Sequence, residues 1–415
     1  MVIIPTRAND GQIEGDPADF VHTGPGTLAG RYMRMFWQPV CLARELERAR
    51  AIPVRIMSED FTLYRGESGT VYAVEFRCAH RGTQLSAGWV EGDCIRCFYH
   101  GWKYDGTGQC VEQPAENPPF SSKVKIRRYP SEEYLGLIFV YLGEDEAPPL
   151  PRYPELEEEG ILESSSYLRH CNYFNSLDNG IDEVHVAFTH AQSGFTSYGL
   201  NQNLPKIDAE ETAYGLVQYG TRADGVLRVT HQLMPNILYI KGSPANSESG
   251  WRDAFAWRVP IDDVSHKSFS AVLVHVKGEA AQRYLEQRAQ RAARLANLSP
   301  AHELSAAVLA GKIRIQDIEN RPDLINIQDH VAQEGQGAIA DREHERLGRS
   351  DIAVILLRQI WQRELRALAT GAPVKKWTRT EQLLATTGLT STDPASTRQT
   401  FRESDNSKPS DGGRK

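Results

Sequence analysis

The sequence lacks any apolar run long enough to cross a lipid bilayer. Its longest apolar stretch, LGLIFVYL at 135–142, is far shorter than the roughly 20 residues that a membrane-spanning helix needs. A basic segment followed by an apolar core is also missing from the first residues, so the sequence predicts no secretory signal. From these absences we expect a cytoplasmic protein that makes no membrane contact.

An excess of positive charge is absent as well. The 47 lysines and arginines are outnumbered by 54 aspartates and glutamates, which gives a net charge of -7. Nucleic-acid binding usually requires a basic surface, so we do not expect a nucleic acid as a partner. The composition, with 24% charged residues, is that of a soluble globular protein, and 415 residues suffice for two or three domains.

Cysteine is scarce, yet its distribution is uneven. Four of the six cysteines fall within residues 78–110, beside His80 and His100. In a chain without an export signal, such clustering indicates metal binding rather than disulfides. Cys94 and the cysteines elsewhere lack a ligand spacing, and we predict structural roles for them.

The clustered residues follow a regular pattern. RCAHRG at 77–82 and CFYHGW at 97–102 each offer one thiolate and one imidazole from a short segment. Two cysteines and two histidines are the ligands of a Rieske [2Fe–2S] cluster, in which the cysteines bind one iron and the histidines the other. A single zinc ion is the alternative, since zinc also accepts two cysteines and two histidines. Gly82 and Gly101 fit backbone folded tightly around a cluster.

A second group of candidate ligands lies in CNYFNSLDNGIDEVHVAFTH, residues 171–190. Two histidines and one carboxylate are the ligand set of non-haem Fe(II) oxygenases, and His185 and His190 are the candidates here. Histidines five residues apart diverge by about 140° on a regular helix, so we expect a π-type turn or a helix end between them. The spacing of Asp178 and Asp182 predicts that both lie along one side of a helix, as partners of the iron ligands.

Together these segments resemble the Rieske non-haem iron aromatic ring-hydroxylating oxygenases, in particular the alpha (terminal oxygenase) subunits of the phthalate-dioxygenase-like branch. The resemblance covers nearly all of residues 20–375 and is strongest at 23–115 and 171–190. It implies cluster ligands Cys78, His80, Cys97 and His100, and mononuclear iron ligands His185, His190 and Asp329.

The resemblance also assigns roles near the iron. Asp329 lies in NIQDHVAQEGQG, 326–337, which is similar to the family segment that supplies the distant carboxylate ligand. Asp182 matches the aspartate that links an iron-ligand histidine to a cluster histidine of the neighbouring subunit, here the partner subunit's His100. Asn179 is a candidate for a hydrogen bond to substrate, with a surface or structural role as the alternative. Rival carboxylates for the third ligand position are Asp317, Asp323 and Asp341.

The fold that the resemblance implies is α+β. An N-terminal all-β Rieske [2Fe–2S] domain precedes a C-terminal catalytic domain built on a helix-flanked antiparallel sheet. The proline- and acid-rich segment GEDEAPPLPRYPELEEEG, 143–160, indicates the boundary. The predicted segments are 1–34 (packing on the catalytic domain), 35–145 (Rieske domain), 146–390 (catalytic domain) and 391–415 (disordered tail).

The implied activity is hydroxylation with O₂ of an aromatic substrate, an aromatic acid being expected, either on the ring or by O-demethylation. The electrons come from the cluster and from mononuclear Fe(II). No GxGxxG follows a predicted strand, because the glycines of GPGTLAG, 24–30, lie in a loop. We therefore expect NAD(P)H and flavin on a separate reductase, with or without a ferredoxin. The implied oligomer is a homotrimer or a dimer of trimers.

The sequence also leaves two other functions open. One is a Rieske electron-transfer protein without oxygenase activity, and another is a zinc-stabilised binding module. Arg252 and Arg258 could pair with a substrate carboxylate, with salt-bridge or surface roles as the alternatives.

Overall fold

The protein is described by a computed structural model that covers residues 15–191, 203–223, 225, 227–242, 252–318 and 321–378. Within these ranges the chain forms four antiparallel sheets and seven α-helices. The predicted tail, 391–415, and the first residues of the predicted N-terminal segment lie outside them. Across the described ranges, no helix is both long and apolar enough to cross a membrane.

The first part of the chain consists mainly of short strands. They form sheets with the strand orders β1-β11-β10, β2-β3-β4-β9 and β5-β6-β7-β8. The strands are β1 (Gln38–Leu42), β2 (Arg50–Ile56), β3 (Glu59–Arg65), β4 (Val71–Glu75), β5 (Trp89–Glu91), β6 (Cys94–Arg96), β7 (Lys103–Tyr104), β8 (Cys110–Glu112), β9 (Arg128–Tyr129), β10 (Ser131–Tyr134) and β11 (Leu137–Val140).

A small apolar core supports the segments that carry the cysteine and histidine pattern. Tyr64, Leu85, Ile95 and Trp102 are buried in it together with Tyr104. The first segment connects β4 to β5 and the second connects β6 to β7, so each is a loop anchored at both ends by strands. Because the apolar core lies directly under both loops, it sets their positions relative to each other.

The remainder of the chain is built on one large sheet, with the strand order β12-β18-β17-β16-β15-β14-β13. Its strands are β12 (Ile161–Arg169), β13 (Lys206–Glu211), β14 (Gly215–Thr221), β15 (Leu227–Leu233), β16 (Ile237–Gly242), β17 (Arg252–Asp262) and β18 (Ser265–Val274). The helices of the chain are α1 (Leu28–Arg34), α2 (Tyr173–Gly180), α3 (His185–Phe188), α4 (Gly278–Ala296), α5 (Ala301–Leu309), α6 (Leu324–Glu334) and α7 (Ile352–Ala369).

The two faces of the large sheet have different partners. Successive residues of a strand point to opposite faces, so Phe255 and Trp257 of β17 lie on one face and Arg258 on the other. The aromatic face packs on the N-terminal half, with the Trp257 ring 5.6 Å from the Phe139 ring and the Phe255 ring 4.9 Å from the Tyr153 ring. The opposite face is therefore left for the helices that carry the second group of candidate ligands.

Candidate metal centres

Three predicted ligands converge over the large sheet. His185, His190 and Asp329 each offer a ligand atom, and these atoms all lie within 4.8 Å of one another. The Nε2 atom of His190 is 3.5 Å from Oδ1 of Asp329, and the two imidazole rings are 5.2 Å apart. Two imidazoles and one carboxylate at these separations can surround one metal ion and leave coordination positions open.

The shortness of α3 gives the two histidines their positions. Helix α2 ends at Gly180, and α3 runs only from His185 to Phe188, so a helix end lies between the two histidines. This is one of the two distortions that the five-residue spacing predicted. His190 follows the end of α3, and its ring can therefore turn towards His185.

The prediction that Asp178 and Asp182 share one side of a helix is wrong. Asp182 lies beyond the end of α2, and its Oδ1 accepts the backbone N–H of Val184 at 2.8 Å. Asp178 points to two guanidinium groups, those of Arg358 at 2.7 Å and Arg342 at 3.2 Å. A four-residue spacing could not show that an aspartate side chain would end one helix and begin the next.

The second nitrogen of each imidazole has its own acceptor. Nδ1 of His185 donates to the backbone carbonyl of Asp182, and Nδ1 of His190 donates to Oε1 of Gln328 at 2.9 Å. These bonds place the ring protons on Nδ1, so Nε2 of each ring carries the lone pair that can bind a metal. Nδ2 of Asn179 donates to Oδ1 of Asp329 at 3.3 Å, so the predicted substrate-binding amide is directed at a candidate ligand.

The protonation states suit a divalent metal ion. Burial lowers the pKa of His185, although Asp329 and Asp182 oppose the shift. Burial alone would raise the pKa of Asp329, but its bond to His190 and the nearby charge of Arg169 bring it to about 2. These shifts favour the neutral imidazole of His185 and the carboxylate of Asp329 near neutral pH, the forms that bind metal ions.

The rival carboxylates are occupied elsewhere. Asp317 pairs with Arg314 at 2.6 Å, Asp323 pairs with Arg321 at 2.9 Å, and Asp341 pairs with His344 at 2.8 Å. Asp329 alone among the four belongs to the converging group.

The loops that hold the cysteine and histidine pattern have the same construction. In the first, Cys78 N–H donates to Thr83 and Gly82 N–H donates back to Cys78, at 2.8 and 2.9 Å. In the second, Cys97 N–H donates to Trp102 and Gly101 N–H donates back to Cys97, at 2.8 and 3.1 Å. The glycines have φ angles of +75° and +73°, which favour glycine over any residue with a Cβ.

An arginine closes each loop in the same way. The arginine just before each cysteine donates to the carbonyl of the loop glycine, Arg77 to Gly82 at 2.9 Å and Arg96 to Gly101 at 2.7 Å. The repeat Arg-Cys…Gly was visible in the sequence, but its meaning depends on hydrogen bonds that spacing alone does not reveal.

The residues of the two loops fit a Rieske cluster. The rings of His80 and His100 lie 4.5 Å apart, and Nδ1 of each is buried without a hydrogen-bond partner among the described residues. Cys78 and Cys97 are buried free thiols, whereas Cys94 is half-buried in β6. Two orphaned imidazole nitrogens beside two buried thiols form the donor set that a [2Fe–2S] cluster with two histidine ligands requires.

A single zinc ion fits these loops less well. Within the described ranges, His185, His190 and Asp329 are the only three or more His, Cys, Asp or Glu residues whose ligand atoms lie within 4.8 Å of one another. The four loop residues therefore do not converge on one point, as ligands about 2.0–2.3 Å from one zinc ion would. Ligands divided between two irons need no such convergence.

Comparison with known proteins identifies the family. The Rieske [2Fe-2S] domain family matches residues 36–130. The 5,5'-dehydrodivanillate O-demethylase oxygenase subunit of Sphingobium sp. (strain NBRC 103272 / SYK-6) is 31% identical, over 85% of this chain and 80% of its own length. The phenoxybenzoate dioxygenase subunit alpha of Ectopseudomonas oleovorans is also 31% identical, over 83% of this chain and 84% of its own length. The chain belongs to the Rieske non-haem iron oxygenases.

The oxygenase also shares its fold with solved structures. The terminal oxygenase of carbazole 1,9a-dioxygenase from Nocardioides aromaticivorans IC177 matches 82% of this chain and 99% of its own, with a TM-score of 0.62 and 18% identity. At that identity the likeness concerns the fold alone. These comparisons confirm the predicted family and the predicted α+β class. They also confirm the prediction of an oxygenase rather than an electron carrier. The roles of individual site residues stay predictions.

Several groups that position the candidate iron ligands of the oxygenase carry no sequence signal. Gln328 is buried and orients His190, but a glutamine beside an aspartate is not a metal motif. Arg169, 1% exposed, donates to Gln333 of α6 and to Ser176 of α2, and so connects the two helices. Glu183, next to Asp182, is buried against Arg222 at 2.6 Å. Each of these residues lies far in the chain from at least one of its partners.

Proposed function

We propose that this chain is the terminal oxygenase that hydroxylates an aromatic acid with O₂, on the ring or at an O-methyl carbon in an O-demethylation. The observation that carries the proposal is the convergence of His185, His190 and Asp329 in a chain that also contains the two cluster loops. A three-ligand site leaves positions for O₂ and substrate, which an electron carrier would not need.

The proposed ligands divide between two groups. Cys78, His80, Cys97 and His100 hold the [2Fe–2S] cluster, and His185, His190 and Asp329 hold the mononuclear Fe(II). When bound, the cluster supplies electrons and the iron supplies the positions at which O₂ reacts with substrate. The protein orients both imidazoles through their Nδ1 hydrogen bonds, and it keeps the Asp329 carboxylate ionised and bonded to Asn179.

Aromatic acids are the proposed substrates because of the relatives. The two relatives with 31% identity are named for dehydrodivanillate and phenoxybenzoate, both aromatic carboxylates. One is an O-demethylase and the other a dioxygenase, so both reactions belong to the proposal.

Electron transfer between subunits is part of the proposal, in a head-to-tail homotrimer or a dimer of trimers. The second cluster loop exposes Phe98 (66%) and Tyr99 (54%), while α3 exposes Phe188 (68%) close to Asp182. The Asp182 side chain is 33% exposed although its Oδ1 caps α3. These apolar surfaces can pack against each other and bring Asp182 to the partner subunit's His100.

The proposed electron source is a separate NAD(P)H-dependent flavin reductase, with or without a ferredoxin, and the proposed location is the cytoplasm. The six free cysteines fit a reducing compartment.

Iron content and product analysis test the proposal. The purified holoenzyme should contain about three irons per chain, two in the cluster and one mononuclear. Asp329→Ala should remove the mononuclear iron and leave the Rieske EPR signal unchanged. With a reductase, NADH and O₂, a panel of methoxylated and unmethoxylated benzoates should give hydroxylated or demethylated products. Two irons per chain in both proteins, with no product from any acid, would contradict the proposal.

A further inference from the structure

One row of side chains crosses the large sheet beside the iron site. In the strand register, Tyr167 of β12 lies opposite Ser268 of β18, which lies opposite Arg258 of β17. Directly opposed residues in antiparallel strands point to the same face of the sheet. Tyr167 and Arg258 are two strands apart, so their Cα atoms are separated by about 10 Å, and Ser268 lies between them.

This face of the sheet is the one covered by the iron-site helices. The Tyr167 ring is 6.0 Å from the ring of His330, which follows Asp329 on α6. Arg169, two residues after Tyr167 and on the same face, donates to Gln333 on the same helix. The row therefore runs from the helix that supplies the iron carboxylate towards Arg258.

Arg258 has no anionic partner in the described part of the chain. Its Nε is buried without a hydrogen bond, and no carboxylate there forms an ion pair with it. Ser268, next to it in the row, is buried beside the Tyr167 hydroxyl. By contrast, Arg358 on α7 pairs with both Asp178 and Glu345. A half-buried guanidinium without a counter-ion is costly, and a ligand anion would relieve that cost.

The neighbouring charges favour an anion. Burial alone would raise the pKa of Tyr167 and the charge of Asp329 acts in the same direction, but the positive charges of Arg258 and Arg169, with a hydrogen bond from Ser268, lower it overall. Both guanidinium groups therefore act on the same part of this face.

We infer that Arg258 binds the carboxylate of an aromatic acid substrate, with the hydroxyls of Ser268 and Tyr167 as further hydrogen-bond donors. The inference rests on the proposed function and names the residue that selects acids over neutral aromatics. A guanidinium can bind a carboxylate through two parallel N–H···O bonds. This pairing selects a negatively charged substrate and fixes the direction in which its ring points. The bound ring then lies on the face that the iron-site helices cover.

Calorimetric titration of the anaerobic holoenzyme tests the inference without turnover. The probes are benzoate, 3-methoxybenzoate, phthalate and 4-phenoxybenzoate, with benzamide and 3-methoxybenzamide as neutral counterparts. Arg258→Met should raise the Kd of the acids that bind the wild type by about 100-fold and change the Kd of the amides by less than about 3-fold. Arg258→Lys should retain part of the affinity, because charge remains while the paired bonds are lost.

A matched control lies on the same strand and the same face. Arg252→Met removes an equal charge six residues from Arg258 and should leave every Kd unchanged. Equal losses for acids and amides in Arg258→Met, unchanged acid binding in that variant, or wild-type protein that binds no acid of the panel would each overturn the inference. The Rieske absorbance of each variant shows that it is folded and loaded. Product formation is scored separately, so an oxygenase that converts neutral aromatics would overturn the role of Arg258 and leave oxygenase activity standing.

Discussion

The two metal centres differ in how the chain brings their ligands together. The cluster residues lie between Cys78 and His100, in two loops of the same construction over one small core. The iron residues run from His185 to Asp329 and meet only when α3 and α6 pack over the large sheet. A centre built from neighbouring residues can be read from spacing, whereas a centre built by packing depends on contacts between distant segments.

The ion pairs around the two centres differ in how far they are exposed to solvent. Near the cluster loops, Arg96 pairs with Glu112 at 2.8 Å, and the glutamate side chain is 41% exposed. Near the iron site, Glu183 and Arg222 are 2% and 0% exposed. Exposed pairs contribute little and are screened by salt, whereas a buried pair that loses one partner destabilises a protein strongly. The iron site should therefore tolerate changes in its surroundings less well.

The largest expected effect is the loss of the cluster in Cys97→Ser. A hydroxyl does not replace the thiolate ligand, so the iron content should fall from about three per chain to about one. Turnover should fall to background. Iron analysis and EPR measure the outcome. The mononuclear iron at His185 and His190 should remain, because that site shares no ligand with the loops. Cys94→Ser is the control and should keep the cluster. A Rieske signal in Cys97→Ser, or its loss in Cys94→Ser, would contradict the ligand assignment.

Asp182→Asn should lower steady-state turnover by roughly 100-fold while both metal centres stay loaded. The amide retains the oxygen that caps α3, but it loses the charge that can pair with an imidazole of the partner subunit. Oxygen consumption with reductase measures the effect, and iron content and the Rieske EPR signal are the controls. Turnover close to that of the wild type would remove Asp182 from the electron path.

Gln328→Leu should weaken Fe(II) binding by about 10- to 100-fold, because Nδ1 of His190 loses its acceptor in a buried site. Gln328→Glu keeps an acceptor and should bind Fe(II) much more tightly than the leucine variant. Competition with a chelator measures the affinity, and the Rieske absorbance should not change in either variant. Equal affinities in the two variants would show that the acceptor does not orient the ring.

The smallest expected effect is that of Glu112→Gln, a few degrees in Tm at most. Bonds to Arg96 and Lys103 lower the pKa of Glu112 to about 2, from an ordinary value of 4.5. This stabilisation is complete above pH 4.5 and is lost as the pH falls towards 2. Thermal unfolding should show a difference between wild type and variant at pH 7 that shrinks below pH 4.5. A difference that grows on acidification would contradict the assignment.

The sequence alone could indicate candidate cluster ligands, because each loop contains one cysteine and one histidine of the pattern, and their role stays a prediction. Asp329 follows His190 by 139 residues, and no spacing rule connects them, so only the resemblance to a family indicated it. Gln328 could not be predicted, since its role arises from the packing of α6 against the chain that follows α3. The predicted helix through Asp178 and Asp182 was wrong because a capping hydrogen bond outweighed the helical spacing.

The order of these segments along the chain has a consequence for synthesis. When Trp102 has been added to the nascent chain, both cluster loops have been synthesised, although 313 residues of the chain are still to be made. The iron site cannot form until α6 has emerged, because that helix provides both Asp329 and the acceptor for His190. Domains tend to fold from the N-terminus during translation, so the nascent chain can assemble its cluster pocket long before it is able to retain a mononuclear iron.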